Sequence, residues 1–215
     1  MKKISELIKL YIERYDFFLK LTLEHLKISG ISIIIATLIG GILGILISEY
    51  KKTSTLVLSI TNFLYTIPSI SLLGFLIPFS GIGNTTAIIA LTIYALLPMI
   101  RNTYAGIDNI DKSIIESARG MGSTEFQILY KIKIPLATTV LLAGFKNMVV
   151  MTIALAGIAS FIGAGGLGVA VYRGITTNNS TLTIAGSLLI ALLALIADFL
   201  ISKIEKKIKK RWRLG

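Results

Sequence analysis

Three groups of residues have the types or spacing that chemistry could use. Gly163-Ala164-Gly165-Gly166-Leu167-Gly168 satisfies the G-x-G-x-x-G pattern that can cradle a pyrophosphate. A dinucleotide site also needs a strand before the glycines, a helix after them and an acid about 20 residues on. Here a long apolar stretch precedes them and the residues around Leu188 are apolar, so the pattern lacks its context. Gly163, Gly165, Gly166 and Gly168 are expected instead to form a tight turn or re-entrant loop at the outer end of a span. The second group would be an acid–base or metal cluster. The chain has one histidine, His25, no cysteine and scattered acids. That set supplies neither a nucleophile with its base nor a ligand cluster. His25 is therefore read as a packing residue at headgroup level. With no Walker A run either, the chain is expected to be no enzyme and to hold no cofactor of its own.

The third group lies in the polar segment Arg101–Lys133. Asp111 is placed to cap a short helix from Lys112 to about Gly120, and Gly120 and Gly122 to stop it. Ser123 is expected to cap a second helix through Glu125–Lys131, and Pro135 stands where proline is tolerated, at the start of the next apolar stretch. Two short helices at an angle on a membrane face suit a docking knob for another protein.

The elements that position these groups follow from where charge is missing. The 215 residues are 54% hydrophobic and 15% charged, with a mean hydropathy of +0.81. A soluble domain carries about 25% charged residues, so this composition excludes one, and it excludes disorder, coiled coil and collagen as well. Five stretches carry the apolar residues: Ile28–Ser48, Thr55–Phe79, Thr85–Ile100, Leu136–Ser160 and Thr181–Ile201. About 20 residues of helix cover the ~30 Å hydrocarbon layer, so each is read as a span. Pro68 and Pro78 should bend the second. Only Lys146 and Asp198 put a charge inside these stretches. Proton- or sodium-driven transporters place carboxylates in their spans, and here the first four have none. Lys146 has two readings of equal weight, a snorkelling side chain or a lining of a gate. Ala36, Gly40 and Gly44 recur every four residues, a face that lets another helix approach closely.

Twenty-two Lys and Arg against eleven Asp and Glu leave a net charge of +11. In a membrane protein this excess points to cytoplasmic ends and anionic lipid rather than nucleic acid. The basic residues of 101–135 and of the tail Lys203–Arg213, which also carries Trp212, put both on the cytoplasmic side. Five crossings then leave the N-terminus outside. Residues 1–27 alternate apolar and charged positions at helical spacing, as an amphipathic helix lying on the bilayer does.

Glu116-Ser117-Ala118, three residues, Gly122, nine residues and Ile132-Lys133-Ile134-Pro135 resembles the EAA loop of ATP-binding-cassette importer permeases, with Ser117 and Ile134 as conservative departures. Further segments resemble the osmoprotectant branch of that family, permeases for glycine betaine, carnitine and choline. They include Glu24-His25-Leu26, Tyr65-Thr66-Ile67-Pro68-Ser69, Leu73-Gly74-Phe75-Leu76-Ile77-Pro78, the run Tyr94–Tyr104 and Ile162–Gly168. The resemblance implies an all-α, five-span type I permease core over 28–201, preceded by the interfacial helix 1–27 and followed by a basic tail, 202–215. It implies that about 108–135 is the coupling loop, with Glu116, Ser117, Ala118, Gly122, Ile132 and Pro135 meeting an ATPase subunit that holds the ATP and Mg. A second permease copy or sister permease and an external substrate-binding protein complete the implied importer, in a bacterial or archaeal inner membrane. A permease for another small solute such as methionine, or a non-transporting scaffold, stays open as the alternative.

Overall fold

The computed structural model describes residues 2–212, with side-chain environments for 4–210. Arg213 and the side chains of Arg211 and Trp212, at the end of the basic tail, lie outside the described residues. Every regular element among the described residues is helical. Helix α1, Lys2–Glu13, ends at Arg14, and α2 then runs 35 residues from Tyr15 to Glu49. At 1.5 Å per residue α2 is about 52 Å long, more than a hydrocarbon layer, so its first turns stand clear of the layer. The segment expected as one helix over 1–27 is thus divided at Arg14, and its second half is continuous with the first span. α1 is anchored rather than free: the Tyr11 hydroxyl donates to the Ala185 carbonyl at 2.8 Å.

The second apolar stretch is broken in two. Helix α3, Lys51–Thr66, and α4, Ser69–Ser80, meet at 99°. The cause is Pro68, which bars helical geometry at the preceding residue; Ile67 is extended at φ −66° and ψ 127°. The break frees the Ile67 carbonyl, and the Tyr94 hydroxyl donates to it. Helix α5, Asn84–Asp108, is longer than the 85–100 stretch that hydropathy marks. It passes through Pro98, whose own carbonyl accepts from Asn102 Nδ2 at 2.7 Å. The polar residues from Arg101 onward hide its last two turns from a hydropathy count.

α6, Lys112–Gly120, and α7, Glu125–Ile128, follow. A wide π turn over Leu129–Lys133 then joins α7 without a loop to α8, Ile134–Ala156. Its placement one turn ahead of Pro135 fits a wide turn that eases a proline ring past the preceding carbonyls. A 3₁₀ turn, Ile158–Ile162, a glycine-rich loop, α9 over Gly168–Thr176 and α10 over Ser180–Trp212 complete the chain. Among the described residues four helices are long and apolar enough to cross a membrane, and the bent pair α3–α4 makes a fifth if counted as one span.

α5 is the central helix, held between α2 and α8 by small residues. Ala36 is fully buried, Gly40 lies against Met99, and a Cβ on Gly44 would come within 2.5 Å of the Thr103 Cβ. On the other side Gly106 lies against Ala137, Val140 and Leu141, and Gly144 against Asn102. Close backbone approach of this kind is how helices gain packing in lipid, where no hydrophobic force separates helix from solvent. The small-residue face of α2 is therefore occupied within the chain. Leu188, Leu192, Leu195 and Phe199 on α10, with Ile34, Leu38 and Ile42 on α2, stay exposed as an apolar outer surface.

Candidate coupling site

The segment between α5 and α8 is built by local capping. Asp111 Oδ1 accepts the Ser113 N–H at 2.8 Å and starts α6. That bond holds the Asp111 carboxyl below its usual range, because it favours the ionised form. α6 ends in a paired-bond stop: the Ser123 N–H donates to the Ala118 carbonyl and the Gly122 N–H to the Arg119 carbonyl. This motif needs a left-handed residue, and Gly122 supplies it at φ 85°. Gly120 remains inside the helix. The cap of the next helix is Thr124 and not Ser123. Thr124 Oγ1 accepts from the Gln127 N–H while Gln127 Oε1 accepts from the Thr124 N–H, a reciprocal capping box. The Thr124-x-x-Gln127 spacing carried that signal in the sequence. Ser123 instead serves the stop of α6.

Between α6 and α7, Arg119 donates through Nε and Nη2 to Glu125 Oε1, both at 2.7 Å. The pair is exposed, so it orients the two helices more than it stabilises them. Ala118 is the buried residue of α6, whereas Glu116 and Ser117 are exposed. Ser117 Oγ donates to the Ser113 carbonyl at 2.7 Å within the helix. Ile132 and Pro135 are half-buried at the junction with α8.

Two ion pairs brace the base of the knob, one from the π turn to the end of α2 and one from the start of α3 to the end of α5. Lys133 Nζ meets Glu49 Oε1 at the end of α2, at 2.6 Å, and Lys51 meets Asp108. Between them lies a cleft of about 290 Å³ whose wall includes Asp108, Lys112, Glu116 and Arg119. The knob also exposes large apolar side chains. Met121 is 86% exposed and Phe126 75%, and the Phe126 and Tyr130 rings stack with planes 7° apart. Exposed aromatic surface beside ordered charges, set off the ends of membrane helices, is surface suited to another protein.

The glycine loop forms a second, separate constellation at the far end of the spans. The Gly165 N–H donates to Asn84 Oδ1 at 2.8 Å and the Gly166 N–H to Glu24 Oε2 at 3.2 Å. A Cβ on Gly165 would fall 2.5 Å from that same carboxylate oxygen, and one on Gly168 would fall 2.0 Å from the Gly157 carbonyl. Gly163 turns the chain at φ 73°. The loop is a close-packed turn. His25 differs from expectation: it is fully buried against this loop, and its Nε2–H donates to the Ile153 carbonyl at 2.9 Å. Nothing in local spacing signals a contact between residues 128 apart in the chain. Lys146 faces α10, with Asp198 at 3.8 Å, Glu205 at 3.9 Å and Ser202 Oγ at 3.4 Å. Its charge is compensated by a neighbouring helix.

An all-helical chain with a broken second span and a two-helix knob between its central spans has the architecture of a membrane transport subunit. Residues 32–210 match the family described as "Binding-protein-dependent transport system inner membrane component", and the chain belongs to that family. It is 40% identical over 187 residues to the carnitine transport permease protein OpuCB of Listeria monocytogenes, covering 87% of this chain and 86% of the relative. It is 37% identical over 207 residues to the glycine betaine/carnitine/choline transport system permease protein OpuCD of Bacillus subtilis, covering 96% and 90%. Among solved structures, an inward-facing form of the MetNI methionine ABC transporter matches with a TM-score of 0.81 and 25% identity, over 91% of this chain and 98% of that one. The chain is thus an inner-membrane permease component of a binding-protein-dependent transport system.

Proposed function

We propose that this permease imports quaternary-ammonium osmoprotectants: glycine betaine, carnitine or choline. The observation that carries the substrate class is the 36–40% identity, over 187–207 residues, with relatives named for those solutes. The methionine transporter shares the fold at 25% identity, which supports the machine and not the cargo.

The coupling role falls to the knob. Glu116, Ser117, Ala118 and Gly122 shape α6 and its stop, and Ile132 and Pro135 fix the join to α8. Met121, Phe126 and Tyr130 offer the apolar area an ATPase subunit would bury. ATP and Mg then belong to that subunit. Its closure on ATP rocks two permease protomers as rigid bodies, the second being a copy or a sister chain. Because Ala36, Gly40 and Gly44 are taken up by α5, the protomers meet through other faces. The knob is cytoplasmic, the N-terminus and the glycine loop are outside, and a substrate-binding protein docks on the outer side. The basic tail rests against anionic headgroups.

The test is uptake at high osmolarity in cells lacking their own osmoprotectant importers, with the co-encoded ATPase and binding protein present. Accumulation of labelled glycine betaine, carnitine or choline is the expected result. Accumulation of methionine alone, or of no solute by an intact complex, would discard the substrate class.

A further inference from the structure

From Ala90 to Asp108, every residue of α5 is buried or half-buried except Arg101. At Arg101 the helices that enclose α5 leave an opening, and a guanidinium stands in it. Arg101 is about 10 Å, seven residues, from the end of α5, so it sits within the inner part of a span. Among the described residues it makes no ion pair, whereas Lys133, Lys51 and Lys146 each have a carboxylate. A cation without a carboxylate in the inner part of a span either snorkels to the interface or serves a polar cavity, and Arg101 lines one.

The opening is a groove of about 380 Å³ lined by Tyr65, Leu97, Pro98, Arg101, Asn102 and Ala105. Tyr65 lies in the last turn of α3, directly before the 99° break. Non-helical backbone at membrane depth is tolerated where it is buried in protein or lines a water-filled cavity, and the break stands beside this groove. Tyr65 is fixed there by two contacts. Its ring meets Tyr94 edge-on at 5.8 Å, and its hydroxyl donates to Met151 Sδ at 3.3 Å. It still leaves 41% of its surface open.

Resting on the substrate class proposed above, we infer that this groove is a transit site in which Arg101 selects for solutes bearing a carboxylate. The guanidinium fork takes the carboxylate through paired charge-assisted hydrogen bonds, and the Tyr65 ring takes the trimethylammonium end by cation–π attraction. Glycine betaine and carnitine carry both groups. Choline carries only the cation, which Arg101 repels. The residue therefore sets preference inside the membrane, after the binding protein has released its load.

The experiment uses the full complex in proteoliposomes with its ATPase and binding protein, comparing the wild type with Arg101→Gln. Transport of glycine betaine and carnitine is expected to fall about tenfold, as loss of a paired charge-assisted contact implies. ATP hydrolysis stimulated by the loaded binding protein should stay within about twofold, because the knob is untouched, and choline transport should not fall. Arg101→Lys should recover part of the betaine rate. Unchanged betaine transport would make Arg101 a snorkelling side chain and overturn the inference. So would equal losses for betaine and choline, or ATP hydrolysis falling with transport, since both describe a structural role. A wild-type complex that moves no quaternary amine would instead overturn the proposed substrate class, and this inference with it.

Discussion

Lys133 reaches from the π turn to Glu49 at the end of α2, and this 2.6 Å pair ties the knob to the first span. The Lys133 side chain is 11% exposed and Glu49 29%, so the pair is sheltered from bulk screening. Removing one partner leaves a sheltered charge alone. Glu49→Gln or Lys133→Met should each lower stability by about 1–3 kcal/mol, and the double variant should cost less than the sum. Thermal unfolding of the four proteins in one detergent checks this; additive losses would show that the pair does not couple knob to span.

Gly44 tests the central packing. A methyl at this position would press on Thr103, so Gly44→Ala should destabilise by about 1–3 kcal/mol despite the better helix propensity of alanine. Gly30 lies in the same helix with nothing within 4 Å, and Gly30→Ala should be neutral or stabilising. Melting temperatures of the two variants, measured side by side, should move apart.

Asp111 gives a pH signature. Its carboxyl is held below the usual range by the Ser113 N–H, so its capping contribution is complete above the ordinary aspartate value of about 3.9. The contribution is lost as the pH falls through the depressed value. Asp111→Ala should therefore speed amide hydrogen exchange over 112–117 at neutral pH, and the difference from wild type should close in acid. A difference independent of pH would rule out the carboxylate cap.

Gly122 separates conformation from docking. A Cβ there meets nothing within 4 Å, so the penalty of Gly122→Ala is the strain of φ 85° alone, about 1 kcal/mol. Gly122→Trp adds bulk to the open face of the knob. It should leave the spans folded while transport falls relative to ATP hydrolysis. Normal transport by Gly122→Trp would remove this residue from the ATPase contact.

What the sequence made legible is what local spacing controls. The apolar stretches, the Pro68 bend and the Asp111 cap are all written within a few residues of where they act. The 99° size of the bend is not, nor is the contact by which Tyr94 on another helix meets the freed Ile67 carbonyl. The end of α5 was hidden for a different reason. Arg101 and Asp108 look like loop to a hydropathy count, yet one faces a groove and the other pairs with Lys51. The contacts of the glycine loop with Glu24, Asn84 and His25 join distant parts of the chain, and only the folded structure brings them together.

The run from Glu125 to Ala156 behaves as a single 32-residue shaft. With no loop between the exposed Phe126 and the membrane-embedded part of α8, a torque applied at the knob has no slack in which to dissipate. The π turn is the only departure from regular pitch along that shaft, and the Glu49–Lys133 strut braces it from the side. A rotation of the knob would therefore be carried into α8, the helix that packs along α5.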